Sequence, residues 1–358
     1  MEKALMNALR IITFAAVGFS VSCAVAQAEP LPSFGVELCT WDAMHIVEVT
    51  QTTKRDGVCT VVASWKGELK KDDVLTFPEL RGFSAEEQRR IFVFREMKVL
   101  PKRITHISGL RMVLFLKKGA KGPGEPDQAA PWRGAGWGPG VETSVAWIDG
   151  GETFAFMQVG WGGQVVWPLD LTEKQFKDRV LKITETKEKL RQVLDVKDPG
   201  ERAESLANLL GTDLRVCQRE AVAALGLCGE KGLPVVRNLL KEKHSAWIAH
   251  DLIRAMGKIG GPKAGKELVA LLDTELVFWK KRGPQLKKDW WHDWSLGEKE
   301  VYDLRDRNGM FVAILGALGD AKYPECRPLV REVRDFLKAH PQLDTGAMRM
   351  CRVILAEK

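Results

Sequence analysis

The stretch AVAALGLCG, residues 221–229, recurs as LIRAMGKIG at 252–260 and as FVAILGALG at 311–319. In every copy a Leu or Met precedes a glycine at the sixth position, and a second glycine stands at the ninth. The first glycines are Gly226, Gly257 and Gly316, and the second are Gly229, Gly260 and Gly319. Apolar residues three to four positions apart predict a helix in each copy. Each copy continues into a second predicted helix, at 234–243, 263–273 and 324–338.

Two helices with one apolar face each cannot bury that face alone, so the copies are expected to stack and share one core. The first glycine should permit close approach of neighbouring helices, and the second should relieve a left-handed helix end. Spacing and signature resemble HEAT repeats, of the short kind also found in phycobiliprotein lyases. The resemblance covers roughly residues 200–358. It implies an α-solenoid whose concave surface faces protein partners.

The first half of the chain has a strand pattern instead. β-Branched and aromatic runs bounded by turn residues predict strands at 43–51, 58–65, 74–77, 110–117, 145–148, 153–159 and 165–167. Strands of this number and length fit a small closed barrel or a sandwich. The segments VVASWKGEL (61–69) and RMVLFLK (111–117) resemble bacterial domains of the tissue-inhibitor-of-metalloproteinases or netrin type, which are OB-like barrels. Inhibitors of that family chelate a protease zinc through an amino-terminal Cys.

The sequence therefore predicts an α+β protein of two domains. A small antiparallel OB-like β-barrel is expected at 29–170, and an α-solenoid of HEAT-like helix pairs at 171–358. The second and third copies lie 59 residues apart, against 31 for the first and second, which indicates an insertion, placed at 277–308.

The amino terminus has the three parts of a secretory signal peptide. Lys3 and Arg10 flank the start of an uncharged apolar run at 11–21, and Ala-Gln-Ala follows at 26–28. Residues 1–28 are predicted to be removed, giving a secreted or periplasmic protein that begins at Glu29. A cut before Cys23 would instead give a lipid-anchored protein, although Ser20 stands where such sites carry Leu. The run is too short to span a bilayer.

Removal of the signal leaves a net charge of about +6 and six cysteines. The basic residues are spread along the chain, so nucleic acid is not an expected partner. An even number of cysteines in an exported protein permits disulfides, and Cys39 with Cys59 is the predicted pair. The other four are predicted to serve as small apolar residues. In the inhibitor family the amino-terminal residue is Cys, whereas Cys39 lies ten residues into the predicted mature chain.

The insertion 277–308 is the main candidate for function, because it combines clustered Trp and Lys residues. Aromatic residues are enriched at binding hot spots, and insertions in repeat proteins often emerge on the binding face. The predicted partner-binding residues are Trp290, Trp291 and Trp294, with Lys287 and Lys288 as steering charges. Two alternatives stay open: these Trp side chains pack into the core, or they stack on sugars.

A second candidate is the Gly/Trp-rich segment 131–167, whose Trp faces either stack on glycans or build a core. The sequence contains no GxSxG, P-loop, HExxH or CxxC motif, and no GxGxxG that opens a helix. No catalytic residue, cofactor or metal ligand is therefore predicted. The predicted function is an exported, non-catalytic binding or scaffold protein with a protein partner. The alternatives are a carbohydrate-binding protein and a protease-inhibitor-like module.

Overall fold

The computed structural model describes residues 34–53, 58–76, 92–95, 98–99, 111–118, 132–134, 144–159, 163–242, 244–343 and 346–356. The predicted signal peptide and the alternative cleavage site at Cys23 lie outside these residues. The protein is of the α+β class, and the chain divides into two compact units between Glu185 and Thr186. We call them the sheet unit and the helical unit.

Ten strands are described in the sheet unit. They are β1 (His45–Thr53), β2 (Val58–Lys66), β3 (Val74–Thr76), β4 (Phe92–Arg95), β5 (Lys98–Val99), β6 (Arg111–Lys118), β7 (Trp132–Gly134), β8 (Val145–Asp149), β9 (Glu152–Val159) and β10 (Gly163–Thr172). Seven of them form an antiparallel sheet in the order β3-β2-β1-β6-β8-β9-β10. Strand β4 pairs in parallel with β10, β5 pairs with β4, and β7 pairs with β6.

Ten helices are described in the whole chain. They are α1 (Val36–Asp42), α2 (Glu173–Leu194), α3 (Pro199–Leu209), α4 (Arg215–Leu225), α5 (Leu233–Lys241), α6 (Ala246–Ile259), α7 (Gly261–Arg282), α8 (Glu298–Ala321), α9 (Arg327–Ala339) and α10 (Ala347–Leu355). Strand β10 gives way to helix α2 at residues 172 and 173, close to the composition shift in the sequence.

The described strands form an open sheet, which corrects the prediction of a closed barrel. Successive residues of a strand point to opposite faces, and Ile46 and Val47 of β1 belong to two different buried clusters. The Ile46 cluster includes Phe115 and, from α2, Phe176, whose rings lie 6.3 Å apart. The Val47 cluster includes Trp147. Because each face of the sheet is covered by its own core, closure around a single interior is not needed.

The two cysteines of the predicted disulfide lie in different clusters. Cys39 of α1 belongs to the Ile46 cluster, and Cys59 of β2 belongs to the Val47 cluster on the other face of the sheet. Burial raises the pKa of each thiol to about 12. Bridged cysteines have Cα atoms within about 7 Å and side chains directed at each other. Two cysteines buried in separate cores do not fit the predicted Cys39–Cys59 pairing.

Alternate helices of the helical unit pack against one another. Helix α4 contacts α6, α6 contacts α8, and α8 contacts α10, while α5, α7 and α9 each follow their partner in the chain. Two of the three sixth-position glycines lie at these contacts. A Cβ on Gly226 would lie 3.3 Å from the Cα of Ala255, and one on Gly257 would lie 2.6 Å from the Cα of Ala317. A Cβ on Gly316 would meet no described atom within 4 Å.

The glycines at the ninth position also differ between the first two copies and the third. Gly229 and Gly260 have positive φ angles of 61° and 66°. Gly260 ends α6 as expected, whereas α4 ends at Leu225 and Gly229 begins the 3₁₀ turn that follows. Gly319 lies within α8, which continues for two more residues. There the left-handed position is taken by Lys322, with φ of 50°. In the third copy, Gly316 therefore occupies the equivalent sequence position but does not lie at a close helix contact. The residue with positive φ that ends the helix is Lys322, three residues after Gly319.

Substitution of Gly257 by Ala is expected to destabilise the helical unit by about 2 kcal/mol. The new methyl group would meet backbone atoms of Ala317, which cannot rotate away, and the cost of overpacking exceeds the gain in helix propensity. Urea denaturation followed by circular dichroism measures the effect. The equivalent change Gly316→Ala is the control, and it is expected to stabilise by up to about 1 kcal/mol. Equal effects of the two changes would contradict the close contact.

Candidate functional site

The predicted insertion is built mostly as extensions of two helices. Helix α7 runs to Arg282, nine residues beyond its predicted end at 273, and α8 begins at Glu298. Only residues 283–297 connect the two helices, through three 3₁₀ turns, and we call them the aromatic connection. Of the predicted insertion 277–308, residues 277–282 and 298–308 are therefore helical.

Charged residues hold the extended parts of α7 and α8 together. Arg307 Nε lies 2.9 Å from the carboxylate of Glu275, and its guanidinium stacks 3.8 Å from the ring centroid of Phe278. Seven residues along α7, Arg282 pairs with Glu300. The two pairs fix an antiparallel register over two helical turns. Glu275 is buried, so its contact with Arg307 compensates a charge removed from water.

Trp290 lies in the core of this region. Its side chain is 1% exposed, and its ring centroid is 6.2 Å from that of Trp279 in α7. Its Nε1 donates a hydrogen bond to the carbonyl of Gln342 at 3.1 Å, and the Gln342 amide donates in turn to the carbonyl of Gly283. A buried indole with a satisfied donor is a packing residue. This position does not fit the predicted contact of Trp290 with a partner.

The other predicted binding residues whose side chains are described are more exposed to solvent than Trp290. Trp291 is half-buried, and its carbonyl accepts a hydrogen bond from Arg305. The side chain of Trp294 lies outside the described part of the structure. Lys288 is exposed. Together these residues give the connection a solvent-facing side that carries part of one indole and a positive charge.

Lys287 is 76% exposed and lies 3.1 Å from the carboxylate of Asp293. Asp293 also accepts hydrogen bonds from the hydroxyl and the backbone N–H of Ser295. The Ser295 hydroxyl and Lys287 together lower the pKa of Asp293. Asp293 thus neutralises Lys287 and fixes the turn between the two Trp-containing 3₁₀ segments. Of the two lysines predicted as steering charges, Lys288 is therefore the better candidate.

The Gly/Trp-rich segment 131–167 is only partly described. Trp147 is buried in the Val47 cluster, which corresponds to the core alternative. Trp132 and Trp167 lie in strands β7 and β10, and their side chains are outside the described part. Trp137 and Trp161 lie outside the described residues altogether. A row of Trp faces for a glycan is therefore not part of the described surface.

Histidines and carboxylates do not assemble a metal site in the described part of the chain, where no group of three or more potential ligands is found. The Nδ1 of His45 accepts a hydrogen bond from the backbone N–H of Glu68. His250 lies 3.0 Å from the carbonyl of Asp306, where its ring fills the space left by Gly309. These side chains have structural contacts that the sequence did not indicate.

A repeated ion pair was also missed at the sequence level. Lys231 contacts Asp198 at 2.6 Å, and Lys263 contacts Glu230 at 3.2 Å, each across 33 residues. Both acidic residues precede a helix that has Pro in its first turn, α3 and α5 respectively. Asp198 and Pro199, an N-cap residue followed by Pro, are the signal that could have placed a further helix before the first recognised copy.

Acid titration of Asp198 tests this ion pair. The Lys231 ammonium and the backbone N–H groups of Glu201 and Gly200 lower the pKa of Asp198 to about 2, from the usual 3.8. Stabilisation by a depressed carboxyl is present above the unfolded pKa and is lost as the pH falls through about 2. NMR titration is expected to show this low pKa, and Lys231→Met should raise it toward the usual value. Lys263→Met should leave it unchanged, and a rise there would count against the assignment.

Comparison of the chain with protein-family models, with curated proteins and with solved structures found no match. None of the described helices combines the length and the apolar character needed to cross a lipid bilayer.

Proposed function

We propose that this chain is an exported, non-catalytic scaffold protein whose helical unit is a HEAT-like α-solenoid that binds a protein partner. The proposal joins the secretory pattern of residues 1–28 with the packing of the helical unit. The observation that carries it is the succession of contacts from α4 to α6, α8 and α10. A row of helices in which each contacts the next is the arrangement of repeat proteins that present extended binding surfaces.

Two recurring features support the solenoid. Gly226 and Gly257 occupy the same place in successive copies, and each admits the next helix at close range. The ion pairs of Asp198 and Glu230 recur with the same spacing at the start of successive second helices. Repetition of both features along one array favours a stack of equivalent units over an irregular helical bundle.

The outer side of the extended α7–α8 pair is the proposed partner surface. Tyr302 is 52% exposed, and the Arg305 guanidinium lies 5.7 Å from its ring centroid. Lys288 and half-buried Trp291 lie in the adjoining aromatic connection. Tyr, Trp and Arg are the residues enriched at protein interfaces. Trp290 supports this surface from the core, and the participation of Trp294 stays a prediction.

Site-specific photo-cross-linking in the cells that export the protein tests the function. A photoreactive phenylalanine analogue replaces Tyr302 in the full chain, and a matched chain carries it at exposed Glu201 in α3. We expect one discrete cross-linked protein from position 302 that position 201 does not give. The cross-link should disappear when Lys288→Glu and Trp291→Ala are added. A ladder of products common to both positions would overturn the proposal, as would recovery of the chain with residues 1–28 intact.

A further inference from the structure

A cleft lies at the end of the helical unit formed by α8, α9 and α10. Its volume is about 240 Å³, and its lining includes Leu318, Lys322, Tyr323, Arg327, Val353 and Ile354. Residues 318–327 and 353–354 are distant in sequence, which is why the sequence did not reveal this site. Helix α8 has 24 residues, so the cleft is about 34 Å from the aromatic connection at the other end of that helix.

The apolar wall of the cleft is open to solvent and well supported. Val353 is 66% exposed, and Ile354 beside it is partly exposed, so α10 leaves part of its apolar side uncovered by described residues. The opposite wall is held by Tyr323, whose ring packs against α7. A Cβ on Gly265 of that helix would lie 2.3 Å from the Tyr323 Cγ. The cleft is therefore a preformed pocket that could accept one large apolar side chain.

The two charged residues that line the cleft are both basic. Lys322 and Arg327 line it, both are exposed, and neither forms an ion pair with another described residue. Helix α10, which supplies Val353 and Ile354, also contains Arg349 and Arg352, which do not line the cleft, and it has no acidic residue. The nearest carboxylates in sequence, Asp320 and Glu325, are exposed but do not line the cleft. An occupant that carries negative charge on both sides of an apolar group would complement this arrangement.

From this complementarity we infer that the cleft binds a short acidic peptide segment that inserts one aromatic or large aliphatic side chain. The side chain lies between Tyr323 and Val353, and flanking carboxylates contact Lys322 and Arg327. The inference goes beyond the proposed function, because it concerns a different surface from the aromatic connection and names the chemistry of its ligand. It does not require that the partner of Tyr302 carries this peptide.

Fluorescence anisotropy with the full chain tests the inference. The probe is a short fluorescein-labelled peptide with one Phe between Asp and Glu residues. Matched peptides replace the Phe with Ala or the acidic residues with Lys. We expect Lys322→Glu, Arg327→Glu and Val353→Asp each to weaken binding of the probe about tenfold. Lys266→Glu, which removes an exposed cation of α7 outside the cleft, should have no effect.

Several outcomes would overturn the inference. These are equal affinity for the acidic and basic peptides, equal weakening by Lys266→Glu and Lys322→Glu, and loss of folding in the exposed variants by circular dichroism. Binding of anionic phospholipid vesicles, or self-association, that depends on the same residues while the peptide does not bind would assign the cleft to another occupant. Trp291→Ala with Lys288→Glu should leave peptide affinity unchanged, so failure at one site is distinguishable from failure at the other.

Discussion

Replacement of Trp290 by Ala is expected to lower the free energy of unfolding of the helical unit by about 4 kcal/mol. The indole is fully buried against Trp279, and its removal leaves a large cavity. It also removes the donor to the carbonyl of Gln342, which links the aromatic connection to the segment that follows α9. Because Gly283 packs directly on Leu343 in the same place, the surrounding backbone has little freedom to collapse into the space. Urea denaturation with the intact chain measures the loss.

The neighbouring residue provides a matched control. Trp291 is half-buried and binds Arg305 through its carbonyl rather than its side chain, so Trp291→Ala should cost about 1 kcal/mol or less. Its effect should appear in partner cross-linking instead. A larger loss of stability for Trp291→Ala than for Trp290→Ala would show that the division between packing and surface residues is wrong.

This division of roles could not be read from the sequence. Trp290 and Trp291 are adjacent and have the same neighbours in the chain. Which indole is buried depends on Gln342 and Leu343, which are some fifty residues further along. The ends of helices α7 and α8 could be predicted more directly from the sequence. No glycine or proline interrupts residues 266–282, and the first strong break is Gly283-Pro284. Those breakers, with Gly297 before α8, mark the short connection that the Trp content obscured.

The sheet illustrates the same limit. The strands predicted from β-branched and aromatic runs overlap seven of the observed strands, because strand propensity is largely a local property, although the prediction 165–167 covers only part of β10 (Gly163–Thr172). Closure is not local, and it depends on what covers the second face. The run MVLFL at 112–116 is apolar on both faces of β6, which is typical of a strand buried on both sides. That run favoured an open sheet between two cores, with α1 and α2 on one face.

A charged cluster on the sheet gives the second prediction. Glu48 of β1 is 6% exposed, and its carboxylate lies 2.5 Å from Arg111 Nε in the adjacent strand β6. The two terminal nitrogens of Arg111 donate to the carboxylate of Glu173, the first residue of α2. Hydrogen bonds from Arg111 to Glu48 and Glu173 raise its pKa. One guanidinium therefore neutralises a buried charge and joins the start of the helix to the sheet.

Arg111→Met is expected to destabilise the sheet unit by about 3 kcal/mol, because it leaves the Glu48 carboxylate buried without a counter-charge. Because Arg111 is partly exposed, the expected loss of stability lies at the lower end of the range for disrupted buried ion pairs. The double variant Arg111→Met with Glu48→Met should recover most of the loss, since it replaces the pair with apolar groups that fit the sheet face. Glu173→Gln, which alters only the more exposed partner, should cost less than about 1 kcal/mol. If the double variant were as unstable as Arg111→Met, the loss would come from the missing Arg side chain and not from the buried charge.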